Sequence, residues 1–434
     1  MNPEFQRQLY LEFSLSRVIG MPIFLGVIFS FAYLLNDKQA DEGIAYTALG
    51  LYTLLVLFWG AKQAAMSMID ELNNNTWDIQ KTSAISAWSL TWGKLLGSTL
   101  FTWYGGIICL IIYMLATPEP EYIILNGVYF LGSGLLAQSI SLLMSLFSVR
   151  QKNRSNNMSY LFILIILSFI IPLMFNSHDI KRESVVWYGE SYNLAYFVGV
   201  SLILACLWSV MGIYRLLSTE LRIRTLPSAW LAFISFLIIY LTGFFISNDD
   251  PQINLFMGIV LASFCVGISV SYLGLLIDDN SPLLVRKLWI YSQQHQWLRV
   301  LQEIPCWMVS VIFVLPATIF LTIFYSVQAI EELYLHPLVI YLLLLRDIAI
   351  LLYFSYSLNS KRVLGLTLLY LICLYGLLPA IFISAELEWV AGIILPILNE
   401  NLIIALVIAS LQTSFIGILL FQRWQERVMN IKAI

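Results

Sequence analysis

The sequence predicts an all-α polytopic membrane protein: about twelve transmembrane helices in two six-helix halves, an interfacial amphipathic helix at the N-terminus, and both termini in the cytoplasm. Three observations carry this expectation. The composition is 60% hydrophobic and only 11% charged, whereas an ordinary soluble domain has about 25% charged residues. Apolar runs of spanning length recur along the whole chain without the period-2 alternation of barrel strands. The cations collect on one side of those runs.

The runs fall at 17–35, 44–62, 95–116, 122–148, 159–175, 193–216, 229–247, 254–277, 305–328, 334–357, 362–385 and 399–421. With the N-terminus in the cytoplasm, Arg7, Arg17, Lys62, Lys81, Lys94, Arg150, Lys152, Arg154, Arg215, Arg222, Arg224, Arg286, Lys287, Arg299, Lys361, Arg362, Arg423, Arg427 and Lys432 all lie on that side. Lys38, Lys181 and Arg182 fall outside, and Arg346 lies within a span. The positive-inside bias therefore places both termini in the cytoplasm, whereas the net charge of −3 orients nothing by itself. The outer loops are short and acidic, as in Thr117–Glu121, Asn248–Pro251 and Ala385–Glu388. The outer connection 176–192 reads either as solvated linker or as a small cap. No cleavable leader is evident, since the first apolar run is long enough to span.

Cys109, Cys206, Cys265, Cys306 and Cys373 sit in or beside apolar runs without a CxxC, and read as small buried hydrophobes. The three histidines are scattered, so no metal site is expected. At the N-terminus Asn2 can cap a helix, Pro3 suits its first turn and Glu4 complements its dipole. Phe5, Leu9 and Phe13 then recur at helical spacing, the pattern of a helix lying along a leaflet or packed on neighbouring helices.

The spans divide into residues 1–217 and 218–434, each with two crossings, an extended cytoplasmic segment and four more crossings. Those segments are 63–94, opening on Ile69-Asp70-Glu71, and 278–304, opening on Ile277-Asp278-Asp279. The common order points to a parallel repeat around an axis along the membrane normal.

Segment 63–94 carries Asp70-Glu71, an Asn run at 73–75, Thr76-Trp77-Asp78-Ile79, Ser83, Ser86 and Gly93-Lys94. This layout resembles the permease subunits of ABC-2-type export transporters. Their first cytoplasmic loop has an acidic residue, a Thr-aromatic-acidic-aliphatic step, a Ser or Pro cluster and Gly-Lys before the next helix. The helix that begins at Asn2-Pro3 is similar to that family too, and the resemblance rests on residues 1–115. It implies a coupling helix formed by Asp70, Glu71, Thr76, Trp77, Asp78 and Ile79 that fits a groove in a separate ATP-binding subunit, present in two copies. Trp77 would be its exposed anchor, and Glu71 and Asp78 its polar contacts. In the second segment Asp278, Asp279, Arg286 and Lys287 stand at the corresponding place, but no Thr-Trp-Asp step follows. A degenerate second coupling site or an asymmetric transporter are both open.

The chain lacks a G-x-x-x-x-G-K-[ST] loop, and its cytoplasmic segments are too short for an ATPase domain. ATP and Mg are accordingly expected in the partner, with no cofactor and no catalytic residue in this chain. Within the membrane, Arg346 and Asp347 stand near the middle of the tenth span, where a lone charge costs at least about 2.5–3.5 kcal/mol. Sequence neighbours on a helix point about 100° apart, so the two need not pair with each other. An ion-pair network that pins helices and a substrate-contacting or gating role are both open. Gln138, Ser139 and Ser141 in the fourth span read as interhelical glue. Trp187, Tyr188, Trp230 and Trp389 read as interface belts. Segment 391–398, with its Gly and Pro, suits a re-entrant element on the outer side.

The leading reading is the permease subunit of an ATP-driven exporter in a bacterial inner membrane, moving an amphipathic or lipid-like substrate, or a peptide, outward by alternating access. Membrane lipid is a partner, a second permease chain is open, and nothing points to nucleic acid. A secondary transporter that uses Arg346 and Asp347 is the first alternative, and it would have no need of an exposed Trp-bearing helix in 63–94. A lipid-acting membrane enzyme is the second, and no His, Asp or Glu cluster at either face supports it.

Overall fold

A backbone in hydrocarbon must satisfy its hydrogen bonds within the segment, and the apolar runs accordingly fold as helices. The computed structural model describes residues 2–35, 42–83, 85–117, 123–150, 183–223, 226–246, 254–278, 280–327, 336–356, 363–399 and 401–432. Among these, ten helices are long and apolar enough to cross a bilayer. An eleventh is obtained if Ala87–Gly97 and Leu100–Ala116, which meet at a bend of 53°, form one span. The expected span 159–175 lies outside the described residues.

The described residues form two compact units, Met1–Val186 with Glu190–Thr225, and Trp187–Gly189 with Leu226–Ile434. The first contains α1 (Pro3–Glu12), α2 (Leu15–Leu35), α3 (Glu42–Tyr52), α4 (Ala61–Asn73), α5 (Trp77–Thr82), α6 (Ala87–Gly97), α7 (Leu100–Ala116), α8 (Ile123–Arg150) and, after the hairpin described below, α9 (Leu194–Glu220). A π-helical stretch, Thr53–Gly60, joins α3 to α4 without interruption. Leu25, Ala48, Tyr52, Val56 and Cys109 are buried at the heart of this unit. Close packing there depends on small residues: a Cβ at Gly106 would run into Val56.

The second unit contains α10 (Ser228–Phe245), α11 (Leu255–Ile277), α12 (Pro282–Gln293), α13 (Trp297–Glu303), α14 (Cys306–Val327), α15 (Pro337–Ser355), α16 (Val363–Ile372), α17 (Leu378–Ser384), α18 (Glu388–Ile394) and α19 (Leu402–Lys432). Phe264, Val314, Leu321 and Leu344 are buried in its main core. In both units large apolar side chains also face outward, among them Phe24, Phe31, Ile403 and Phe415. Surface of that kind needs an apolar surrounding.

One departure from the all-α expectation is a two-stranded hairpin, β1 (Ser184–Trp187) and β2 (Glu190–Asn193), in the outer connection. Its turn residues Tyr188 and Gly189 both have positive φ, 54° and 77°, as a two-residue hairpin requires. Trp187 and Tyr188 are held specifically: Trp187 Nε1 donates to the Tyr240 carbonyl at 3.0 Å and the Tyr188 hydroxyl to the Ile239 carbonyl at 2.7 Å. The described part of this connection is therefore folded onto α10. Cys265 also departs from expectation, being exposed where the sequence reading had it buried.

Candidate functional site: two helical hairpins and an intramembrane polar network

Helix α4 carries the second span straight into the polar segment and ends in a Schellman turn. Asn75 takes φ 56°, and the Thr76 N–H donates to the Glu71 carbonyl at 2.9 Å. Asn tolerates the left-handed region better than most residues, so this stop is written in the Asn run. The chain then reverses into α5, which opens on Trp77.

This hairpin corrects the sequence reading of its own residues. Trp77, expected as an exposed anchor, is only 2% exposed and sits between the Lys81 and Lys94 ammonium groups, each 5.5 Å from its ring centre. Glu71, expected on a solvated face, is buried as well. One carboxylate oxygen receives Arg7 and, at 2.7 Å, Gln80 Nε2; the other receives the ammonium of Lys94, which is itself fully buried. Buried charges persist only when paired and hydrogen-bonded, and this pair is both. Burial works against the charge on Arg7, but the hydrogen bond to Glu71 and the carboxylates of Glu4 and Glu71 outweigh it and raise the Arg7 pKa. The residues that do face solvent are Asp70, Asn73, Asn74, Asn75, Asp78, Ile79, Lys81, Thr82 and Ser83, with Thr76 half-buried.

Arg7 belongs to α1, so the same cluster fixes the N-terminal helix. Asn2 caps α1 through its Oδ1 and donates from Nδ2 to the Ser89 carbonyl of α6 at 2.6 Å. A Cβ at Gly93 would lie 2.6 Å from Glu4 Cβ, so only glycine admits α1 here. Gly93-Lys94 thus has a structural meaning, one residue making room for α1 and the next neutralising Glu71. Helix α1 packs on its neighbouring helices, which is compatible with its also lying along the leaflet, since Tyr10 and Leu11 stay exposed.

The second segment contains a similar device, displaced from the place the sequence suggested. Helix α12 ends in the same turn, with His295 at φ 56° and Gln296 N–H donating to the Tyr291 carbonyl at 3.0 Å, and α13 opens on Trp297. Tyr291, Gln296 and Trp297 thus stand where Glu71, Thr76 and Trp77 stand in the first. Sequence comparison had matched Ile277-Asp278 to Ile69-Asp70 and found no Trp step. Asp278 instead accepts hydrogen bonds from the backbone N–H groups of Cys306 and Trp307 and caps α14. Arg286 is half-buried, Lys287 pairs with Glu303 at 2.6 Å, and Asp279 lies outside the described residues. Trp297 is 58% exposed, unlike Trp77.

Residues 27–189 match the family model described as ABC-2 family transporter protein. That match supports an ABC-2-type permease. No curated protein and no solved structure matches the chain.

Inside the matched segment, Gln138 on α8 accepts from Trp103 Nε1 at 2.8 Å and donates to the Val56 carbonyl at 3.3 Å, in the middle of the π-helical stretch. Such a stretch changes the helical hydrogen-bond pattern, and here a buried amide donates to one of its carbonyls. Ser139 meets Ser209 of α9 at 2.7 Å. Both residues hold helices together, as their types suggested.

Beyond the matched segment, Arg346 and Asp347 are each 2% exposed. They do pair with each other: Arg346 Nε and Nη2 donate to Asp347 Oδ1 at 3.1 and 3.0 Å. The other oxygen of Asp347 accepts from Tyr272 at 2.8 Å and Tyr375 at 2.7 Å, and Arg346 Nη1 donates to Gln412 at 2.7 Å. Gln412 Nε2 in turn donates to the carbonyl of Ile393 in α18. Sequence reasoning missed Tyr272, Tyr375 and Gln412, although Gln412 was visible as a polar group in an apolar run. The network ties α11, α15, α18 and α19 and the stretch around Tyr375 into one satisfied set. Segment 378–398 itself forms a short helical hairpin, α17 and α18, turning at Glu386 with φ 60°.

Proposed function

We propose that this chain is the transmembrane subunit of an ATP-driven exporter, with ATP and Mg bound by a separate subunit that docks on the α4–α5 hairpin. The observation that carries the reading is the construction of that hairpin. Its inner face is locked by Glu71, Lys94, Arg7 and Gln80 to α1 and to the last turn of α6, so a force applied to its exposed tip is transmitted to the spans rather than absorbed by a soft loop. The tip offers Asp78 and Ile79 to a groove in the partner, with Trp77 as the internal pivot. The match over 27–189 supports the same reading. The cargo is an amphipathic or lipid-like molecule, or a peptide, moved outward by alternating access across a bacterial inner membrane. No step of bond chemistry is assigned to this chain.

Co-purification tests the docking. Ile79→Glu and Asp78→Lys should release the ATP-binding subunit while the thermal midpoint of the permease stays at the parental value, because both side chains lie outside the packed interior. Retention of that subunit by both variants at parental strength would overturn the assignment.

A further inference from the structure

We infer that the second hairpin, α12 and α13, lies on the cytoplasmic leaflet and binds anionic lipid there, so that the two hairpins face different partners. The two surfaces differ in kind. Neither α12 nor α13 has a buried residue, and Trp289, Trp297, Leu298 and Leu301 are 66%, 58%, 70% and 48% exposed. Between them stand Arg286, Lys287 and Arg299, with Glu303 as the counter-charge of Lys287. Trp and Leu alternating with cations on helices of 12 and 7 residues, too short to span, is the composition of elements held at a lipid interface. The first hairpin instead exposes Asp70, Ile79 and the Asp78–Lys81 pair, and hides its Trp. A groove shaped for that tip, which offers no exposed Trp, is the wrong polarity for this one.

Helix lengths favour the same division. The unbroken run Glu42–Asn73 has 32 residues, about 48 Å at the α-helical rise against roughly 30 Å of hydrocarbon, so its last turns project into water. Helix α11 has 23 residues, about 34 Å, and stops where the hydrocarbon does. The two ends of the second hairpin are then tied together, since Asp278 at the end of α11 caps the first turn of α14 through Cys306 and Trp307. Trp424 of α19 donates to the Pro282 carbonyl at 3.2 Å and fixes the start of α12 as well. Anchored at the level of the span ends, the pair has the headgroup region beside it, where cations find anionic headgroups and Trp and Leu find acyl chains.

The test uses the full-length chain with its cysteines replaced, in vesicles of phosphatidylcholine and phosphatidylglycerol without any ATP-binding subunit. Nitroxides at Leu298 and Leu301 should be more accessible to oxygen than to a water-soluble nickel complex, and a nitroxide at Ile79 should show the reverse. A measurement free of labels is quenching of intrinsic fluorescence by brominated phosphatidylcholine, which should fall in a Trp289→Phe, Trp297→Phe variant. Replacing Lys287 and Arg299 by Gln should reduce the phosphatidylglycerol that co-purifies. Positions 298 and 301 as open to nickel as 79, quenching unchanged by the Phe variant, or water exclusion arising only on adding the ATP-binding subunit would each overturn the inference. The last would make the hairpin a second protein-docking surface. Because the vesicles contain no such subunit, failure here is distinct from failure of the docking on α4–α5.

Discussion

Glu71 and Lys94 are separated by a reversal of the chain, yet they form one buried ion pair. Removing one partner of such a pair strands the other and costs about 3–5 kcal/mol, whereas replacing both by apolar groups approaches neutrality. Lys94→Met should therefore lower the thermal midpoint more than the Glu71→Leu, Lys94→Met double variant, and equal or greater loss in the double variant would show that the two do not act as a pair. The same cycle on Arg346→Leu and Asp347→Leu, scored by stability and by transport, separates the readings of that site. A stability loss in each single variant that the double variant recovers marks a structural lock, and a loss of transport alone marks a gate. Trp77→Ala should cost about 3–5 kcal/mol of stability, as other buried Trp truncations do. The sequence reading expected partner affinity alone to suffer. Burial of Arg346 and Asp347 was legible because hydrocarbon leaves a charge no cheap alternative. The burial of Trp77 and Glu71 was not, because a polar loop reads as solvated until Arg7 from the N-terminal helix and Gln80 and Lys94 from further along the same segment are seen to converge on it.

At the scale of elements, length and apolarity locate ten of the expected spans among the described residues, while the bend of 53° within the expected span 95–116 is not legible in them. Boundaries between hairpin helices were read poorly. Four helices end in the same left-handed turn, at Asn75, Arg222, His295 and Glu386, and only Asn is a residue type that announces it. That is why the second hairpin was sought at Asp278 and found at Trp297. The π-helical stretch left no mark in the sequence either. The docking of α1 gives a direct test of element packing. Gly93→Val should push α1 away from α6, seen as faster amide exchange across residues 3–12 with the spans unaffected. Exchange unchanged from the parent would mean that the glycine contact does not hold α1.

At the scale of the molecule, the proposed transporter needs only one copy of this chain if the two compact units are its two halves. Native mass spectrometry of the complex should then find one permease per two ATP-binding subunits. Two permease copies around a shared pathway would contradict that, without touching the docking surface. The central claim is that the tip of the first hairpin meets the ATP-binding subunit while its interior, closed by Glu71 and Lys94, carries the motion onward. Its most direct measurement is a photo-crosslinking side chain placed at Ile79 in native membranes, with Leu298 as the comparison position. The account predicts capture of a soluble ATP-binding subunit from position 79 and of lipid from position 298. Capture of lipid alone from position 79 would contradict it.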